Sequence, residues 1–514
     1  MQHAACTFDR AGTNHPTELA RPVNESASLA PRTRSPGAIY VVLILVQAVS
    51  ASGLTTIYTT LPSLYREYGG AGGVGWAVTS YLLFSASGSA LCGRLGDLLG
   101  RRRVMLTALV IAGSGAVLSA LAPTLAGLIV GCALQGLAGS LTPLDIGLAR
   151  ETLPARHVPL AVGIIGAAGI VGAGVTYVFA GWVTDHFASH GAFLMKTALA
   201  AVTIVAVRRL VPASERGFSA VERIDFKRGI LFAPAIAGIL IGIDRLRAWG
   251  WPGSAGLILP CLIILAIWTR HQLRQAVPLI NVQLLLGRQV LLANGAMVCV
   301  GMGCIQVGQM LSLLLQEPQW THAGFGLTAT AAGWAFLGQT SISAIASPLS
   351  GRIASRYGAR RAALCGAATA IGAWSILLYE HTSFPVVIAA AFLNMIGLSF
   401  VFSAIYNLIV EATPAASTSE ATGMASVFLA ISMAIASQIL FVILASTTIS
   451  DPQHGPGAFP TREAYTSSFS YILAMCVICF CVLMAVPRRA RPAVLRPARA
   501  SDLTAGAACP LEKD

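Results

Sequence analysis

Stretches of about 20 apolar residues follow one another along most of this chain, each long enough to cross the hydrocarbon core of a bilayer as an α-helix. A backbone without water must satisfy its own hydrogen bonds, so such runs are expected to be helical throughout. The pattern predicts spans at 38–59, 76–93, 104–122, 125–148, 158–183 and 191–211, two less regular ones at 230–247 and 253–269, and six more at 289–315, 328–351, 361–379, 384–409, 421–447 and 467–486. A water-soluble globule is excluded, because 11% of the residues are charged and 55% hydrophobic, against roughly 25% charged in soluble domains. The expected fold class is an all-α membrane protein.

The spans divide the chain into a polar, disordered cytoplasmic tail (1–37), a six-helix bundle (38–211), a linker with two additional transmembrane helices (212–288), a second six-helix bundle (289–486) and a basic cytoplasmic tail (487–514). Asp244, Arg245 and Arg247 cut the first linker helix short. With the N-terminus inside, most of the 34 lysines and arginines fall on the inner segments, and only Arg66, Arg245, Arg247 and Arg462 fall outside. That bias orients both termini to the cytoplasm. Lys196 alone lies within a span.

The net charge of +13 does not imply nucleic acid, since the arginines form short clusters between apolar runs with no aromatic platform. Cys476, Cys479 and Cys481 have a metal-like spacing but only apolar neighbours, so no metal site is expected. No Gly-x4-Gly-Lys phosphate cradle exists, and GIVGAG (Gly169 to Gly174) lies inside a span, so no cofactor is expected and any transport must draw on a gradient.

The turn from Gly93 to Arg103, GRLGDLLGRRR, is the most informative polar segment. Gly100 allows a tight reversal between helices, Asp97 and Arg101 are spaced for a local charge pair, and the arginines meet anionic headgroups. A degenerate copy, GRIASRYGARR, runs from Gly351 to Arg361. The first turn resembles the loop between helices two and three of the major facilitator superfamily, Gly-x-Leu-Ala-Asp-Arg-x-Gly-Arg-Arg, with Gly93, Leu95, Asp97, Gly100, Arg101 and Arg102 matching.

The resemblance implies two bundles rocking about a midplane cavity, in the fourteen-helix drug:proton antiporter branch. It also implies an inner-gate clamp of Gly93, Asp97, Gly100, Arg101, Arg102 and Glu151. Helix one of that branch reads Leu-Asp-x-Thr-Ile-Val-Asn-Val-Ala-Leu-Pro. Here GLTTIYTTLP places Gly53 at the aspartate and Tyr58 at the asparagine. Helix four, usually Arg-x-x-Gln-Gly, reads CALQG, with Cys132 at the arginine and Gln135-Gly136 kept. The acid and the arginine that the family associates with proton coupling are thus both replaced. In helix five, Ala180-Gly181 aligns with the family's Gly-Gly pair and Thr176-Tyr177 with its Gly-Pro pair.

Small residues at Gly166, Gly169, Gly174 and Gly181 allow close helix packing. Asp145 is an ionisable group inside a span, which reads either as a proton or cation site or as an ion pair with Arg150 or the Arg101 cluster. Asp185, His186 and His190 fall in an outer loop and read as solvated. Gln47, Tyr58, Gln135, Gln306, Gln309 and Asn394 are costly toward lipid and are expected to line a largely apolar cavity, with Trp334 and Tyr406 nearby. The expectation is a monomeric plasma-membrane transporter. It would export hydrophobic or amphipathic drug-like or natural-product molecules by alternating access, with proton antiport left open. A non-transporting membrane sensor or assembly partner, or a uniporter of a small solute, would use the same fold.

Overall fold

The computed structural model describes residues 36–68, 71–154, 157–212, 232–272, 287–413, 418–450 and 458–487. The two tails and residues 213–231 and 273–286 of the linker lie outside the described residues, as do the side chains of Arg94, Asp97, Asp244 and Arg247. The helices are α1 (Pro36–Tyr68), α2 (Ala71–Leu99), α3 (Arg101–Leu121), α4 (Leu125–Gly136), α5 (Leu141–Thr152), α6 (Val158–Leu210), α7 (Phe232–Asp244) and α8 (Leu246–Gln272). They continue with α9 (Arg288–Met302), α10 (Val307–Gln316), α11 (Ala329–Tyr357), α12 (Ala359–Tyr379), α13 (Phe384–Ala412), α14 (Thr418–Leu444) and α15 (Arg462–Ala485). A two-stranded antiparallel pair, β1 (Thr448–Ile449) and β2 (Phe459–Pro460), joins the last two helices.

Two of the expected continuous spans are interrupted. A 3-10 turn at Leu137–Ser140 joins α4 to α5, and Gly303 with the 3-10 turn Cys304–Gln306 joins α9 to α10. In contrast, α6 carries two spans in one run, broken where Phe187 and Ala188 leave helical geometry. Among the described residues, ten helices or helix pairs are long and apolar enough to cross a membrane. The described part of α7 has 13 residues, fewer than the roughly 20 needed to cross a bilayer.

In the first bundle α1 packs on α6 and α2, and α3 lies between α4 and α6. In the second, α12 and α13 pair, α13 also meets α11 and α9, and α15 meets α9 and α12. The bundles join mainly through α2 against α14 and α6 against α11, with α1 touching α10. α7 leans on α2 and α14, and α8 packs on α7.

The motif copies fold alike. Gly100 (φ 91, ψ 127) and Gly358 (φ 90, ψ 144) both take a positive φ that side chains avoid, each at the start of the next helix. Two residues after each glycine, an arginine reaches the last carbonyls of the sixth helix of its bundle. Arg102 Nη2 donates to Arg208 O at 2.7 Å, and Arg360 donates to Leu483 O and Met484 O. A guanidinium at the negative end of a helix is favourable twice, by hydrogen bond and by dipole.

Candidate functional site

The apolar core is not divided as the bundles are. One buried cluster runs from Ile57, Leu61 and Tyr65 of α1 and Val74 and Tyr81 of α2 into the whole second bundle. The other, with Leu43, Met105, Leu144 and Val207, is confined to the first bundle at its arginine-bearing end. Among the described residues, hydrophobic packing therefore bridges the bundles only in the half away from the arginine turns.

Polar contacts follow the same division. Ser312 Oγ of α10 donates to Tyr58 O of α1 at 2.5 Å, and Thr79 Oγ1 of α2 donates to Gln438 Oε1 of α14 at 2.9 Å. Asp185 accepts from the amides of Ala329 and Thr330 at 2.9 and 2.8 Å and from the Thr330 hydroxyl at 2.5 Å. Glycines make this closeness feasible. A Cβ on Gly181 would lie 2.4 Å from Ala329 O, and one on Gly333 2.6 Å from Tyr177 O.

Toward the arginine end α6 and α11 separate. Gly163, Gly166 and Gly351 have no atom within 4 Å of an added Cβ, and Ile345 and Tyr357 are exposed. Gly166, expected in close packing, therefore faces open space. Gly169 faces Gln47 and Gly174 faces Thr340. The described conformation is closed at the far end and open at the arginine end.

Two of the expected cavity residues, Tyr58 and Gln309, lie at the closed midplane. The Tyr58 ring lies beside Gly308 of α10, where the Tyr177 hydroxyl also reaches, and Tyr177 stacks on Phe336 of α11 with ring centres 4.0 Å apart. Gln309 accepts from Ser437 Oγ at 2.9 Å. Tyr58 OH, Gln309 Nε2 and both amide atoms of Gln339 are buried with no hydrogen-bond partner among the described residues.

The other amides hold helices. Gln47 accepts from Thr142 Oγ1 at 3.2 Å. Gln306 donates to Gly301 O at 2.9 Å and Met433 O at 3.2 Å, and Asn394 donates to Cys304 O at 3.1 Å across the α9–α10 break. Gln135, expected in the cavity, is buried inside the first bundle, donating to Ser119 Oγ at 2.8 Å and accepting from Lys196 Nζ at 2.7 Å. Trp334 points outward, exposed, and Tyr406 OH is 3.1 Å from Ser426 Oγ. A small apolar pocket bordered by Met310, Leu314, Trp374 and Phe469 lies within the second bundle, away from this midplane.

The ionisable groups also depart from expectation. Asp145 is fully buried and neither oxygen has a partner among the described residues, so the ion pair with Arg150 or the Arg101 cluster does not form. Asp185 is exposed, as expected, and also caps α11. His190 Nε2 lies 2.9 Å from Glu67 Oε1, with Ser189 Oγ donating to the other Glu67 oxygen at 2.8 Å. In the clamp, Arg101 donates to Gly147 O and lies 3.6 Å from Glu151 Oε1. The Asp97 side chain lies outside the described residues.

At the closed end Glu317, just past α10, is buried against α15 and α1. It accepts a hydrogen bond from Tyr465 OH, and the buried Tyr65 hydroxyl of α1 is close by. Burial pushes its carboxyl up to about 7, against the lowering effect of the Tyr465 and Thr321 hydroxyls.

A family model described as Major Facilitator Superfamily matches residues 43–320 and 298–508. An uncharacterized MFS-type transporter of Mycobacterium tuberculosis is 28% identical over 63% of this chain, a stretch that spans 46% of that transporter. The lincomycin resistance protein of Streptomyces lincolnensis is 25% identical over 67% of this chain and 71% of its own. The multidrug resistance protein Stp of Mycobacterium tuberculosis is 25% identical over 76% and 72%. Among solved structures, a peptide transporter (POT) in complex with sulfate superposes with a TM-score of 0.64 at 15% identity, covering 87% of this chain and 94% of that one.

Proposed function

The chain belongs to the major facilitator superfamily and is a multi-pass secondary transporter, and we propose that it exports hydrophobic or amphipathic drug-like or natural-product molecules by alternating access. The observation that carries this reading is the one-sided closure: among the described residues, core and hydrogen bonds join the bundles away from the arginine turns. The aromatic midplane of Tyr58, Tyr177 and Phe336, with the spare amides of Gln309 and Gln339, suits a lipophilic solute needing one or two hydrogen bonds. The relatives named for lincomycin and multidrug resistance support export.

In this reading the chain is a monomer in a bacterial cell membrane, with two six-helix bundles and two extra helices making fourteen spans. The arginine turns and both termini lie in the cytoplasm, so the described state faces inward. Asp97, Arg101 and Glu151 re-form the inner gate in the opposite state. Asp145 is the site near that gate where a proton or cation would neutralise a buried carboxylate. The test is growth of a pump-deficient bacterial host across a panel of antimicrobials and dyes. Expression should raise tolerance and lower accumulation for at least one lipophilic compound, and unchanged accumulation of every compound at verified expression refutes export.

A further inference from the structure

Two family positions tied to proton coupling are replaced here, and the structure shows what fills their space. At Gly53 an added Cβ would stand 2.0 Å from the Tyr81 hydroxyl, so the place of the helix-one acid is taken by a phenol from α2. At Cys132 no cation is present on α4, but one arrives from another helix. Lys196, on the second half of α6, carries its ammonium to Gln135, one turn along α4 from Cys132, at 2.7 Å. The same ammonium lies 5.5 Å from the centre of the Tyr81 ring, within cation–π range.

We propose that Lys196, held by Gln135 and Tyr81, is the proton-exchanging group of the first bundle, standing in for the acid and arginine that Gly53 and Cys132 leave out. This rests on the export reading above. The side chain is 1% exposed, so no solute can reach it, whereas a proton needs no room. The groups facing it are Tyr81 from α2 and Cys132 and Gln135 from α4, with Ser119 of α3 bonded to both Cys132 and Gln135. No carboxylate lies within ion-pair distance of it among the described residues. An ammonium has three donors and finds one acceptor here, and a buried charge without a counter-charge is costly enough that small rearrangements decide its protonation. Asp145 lies on α5, ten residues beyond Gln135 and past the 3-10 turn that joins α4 to α5. The step is proton transfer alone: the ammonium gives H⁺ to water on one side, the neutral amine remains, and it regains H⁺ from the other side after the bundles rock.

The experiment uses everted membrane vesicles, with ethidium and the panel compounds as probes, and reads both accumulation driven by a pH gradient and gradient-free exchange down the solute's own gradient. Lys196→Gln and Lys196→Arg should lose pH-driven accumulation by about tenfold or more, the scale of a lost coupling free energy, while exchange stays within about twofold of wild type. Retained exchange shows that the variants fold, and Lys196→Arg keeps the charge but cannot release its proton. Wild-type-like pH-driven accumulation in either variant overturns the proposal. Wild-type accumulation that does not respond to the pH gradient, with exchange retained, overturns proton coupling while leaving transport standing. No movement of any probe by the wild type, in either mode, removes the transport reading and this inference with it.

Discussion

Asp185 and Thr330, 145 residues apart, are bound by two hydrogen bonds to one carboxylate oxygen, from the Thr330 amide at 2.8 Å and from its hydroxyl at 2.5 Å. The other oxygen takes the Ala329 amide, so one acid at the end of the first span of α6 caps the start of α11 in the other bundle. Asp185→Ala is expected to weaken the closed end by about 2 kcal/mol, in line with lost hydrogen bonds to a charged group. The check is a reporter cysteine at Ser312, beside Tyr58, in a background lacking the exposed Cys365 and Cys481. Its alkylation from the far side should rise by about tenfold or more, and an unchanged rate counts against the cap as a gate.

Two glycines on α6 should separate gate packing from general helix packing. Gly181→Ala would press a methyl to 2.4 Å from a backbone carbonyl that cannot swing aside. A loss of about 1–3 kcal/mol in thermal unfolding in detergent is expected, the usual scale for overpacking. Gly166→Ala meets open space and should be neutral within about 0.5 kcal/mol. Equal effects would contradict the divergence of α6 and α11.

At the arginine end, Gly147→Ala should slow transport more than Glu151→Gln. A Cβ on Gly147 would stand 2.5 Å from Arg101 Nε and dislodge the guanidinium from the Gly147 carbonyl. The Arg101–Glu151 pair is long and partly exposed, and such pairs contribute about 0–1 kcal/mol. Initial rates of dye efflux at matched expression give the comparison.

Glu317 predicts the pH dependence of the closed state. Its folded carboxyl keeps a proton up to about 7, whereas the ordinary value is 4.5. Between those values the folded protein binds more protons than the unfolded one, so stability falls as pH rises through the window. The loss is at most about 3 kcal/mol for a group this buried. Thermal midpoints in detergent from pH 5 to 8 should decline in the wild type and flatten in Glu317→Gln.

How much of this was legible in the sequence depended on whether the signal was local. The turns at Gly100 and Gly358 could be read because a glycine followed by arginines describes a reversal within a few residues. Arg102 and Arg360 then found matching carbonyls because both bundles repeat one arrangement. Asp185 reads as solvated and is exposed, but nothing near it in sequence announces the amides of Ala329 and Thr330. Gly53 read as a missing carboxylate, though it is also the notch that admits the Tyr81 hydroxyl. Lys196 was visible only as a lone cation in an apolar run; its direction toward Gln135 comes from the packing of α6 against α3, on whose other side α4 lies. Asp145 drew attention through its charge, but its lack of a partner is a three-dimensional fact.

The Asp185 cap also bears on tempo. A carrier fastened at its far mouth when empty idles with its near mouth ajar, ready for whatever dissolves in the adjoining leaflet. Under scarce cargo, turnover would then follow how often a molecule wanders in, and under abundant cargo, how quickly one carboxylate lets go of three protons' worth of bonding.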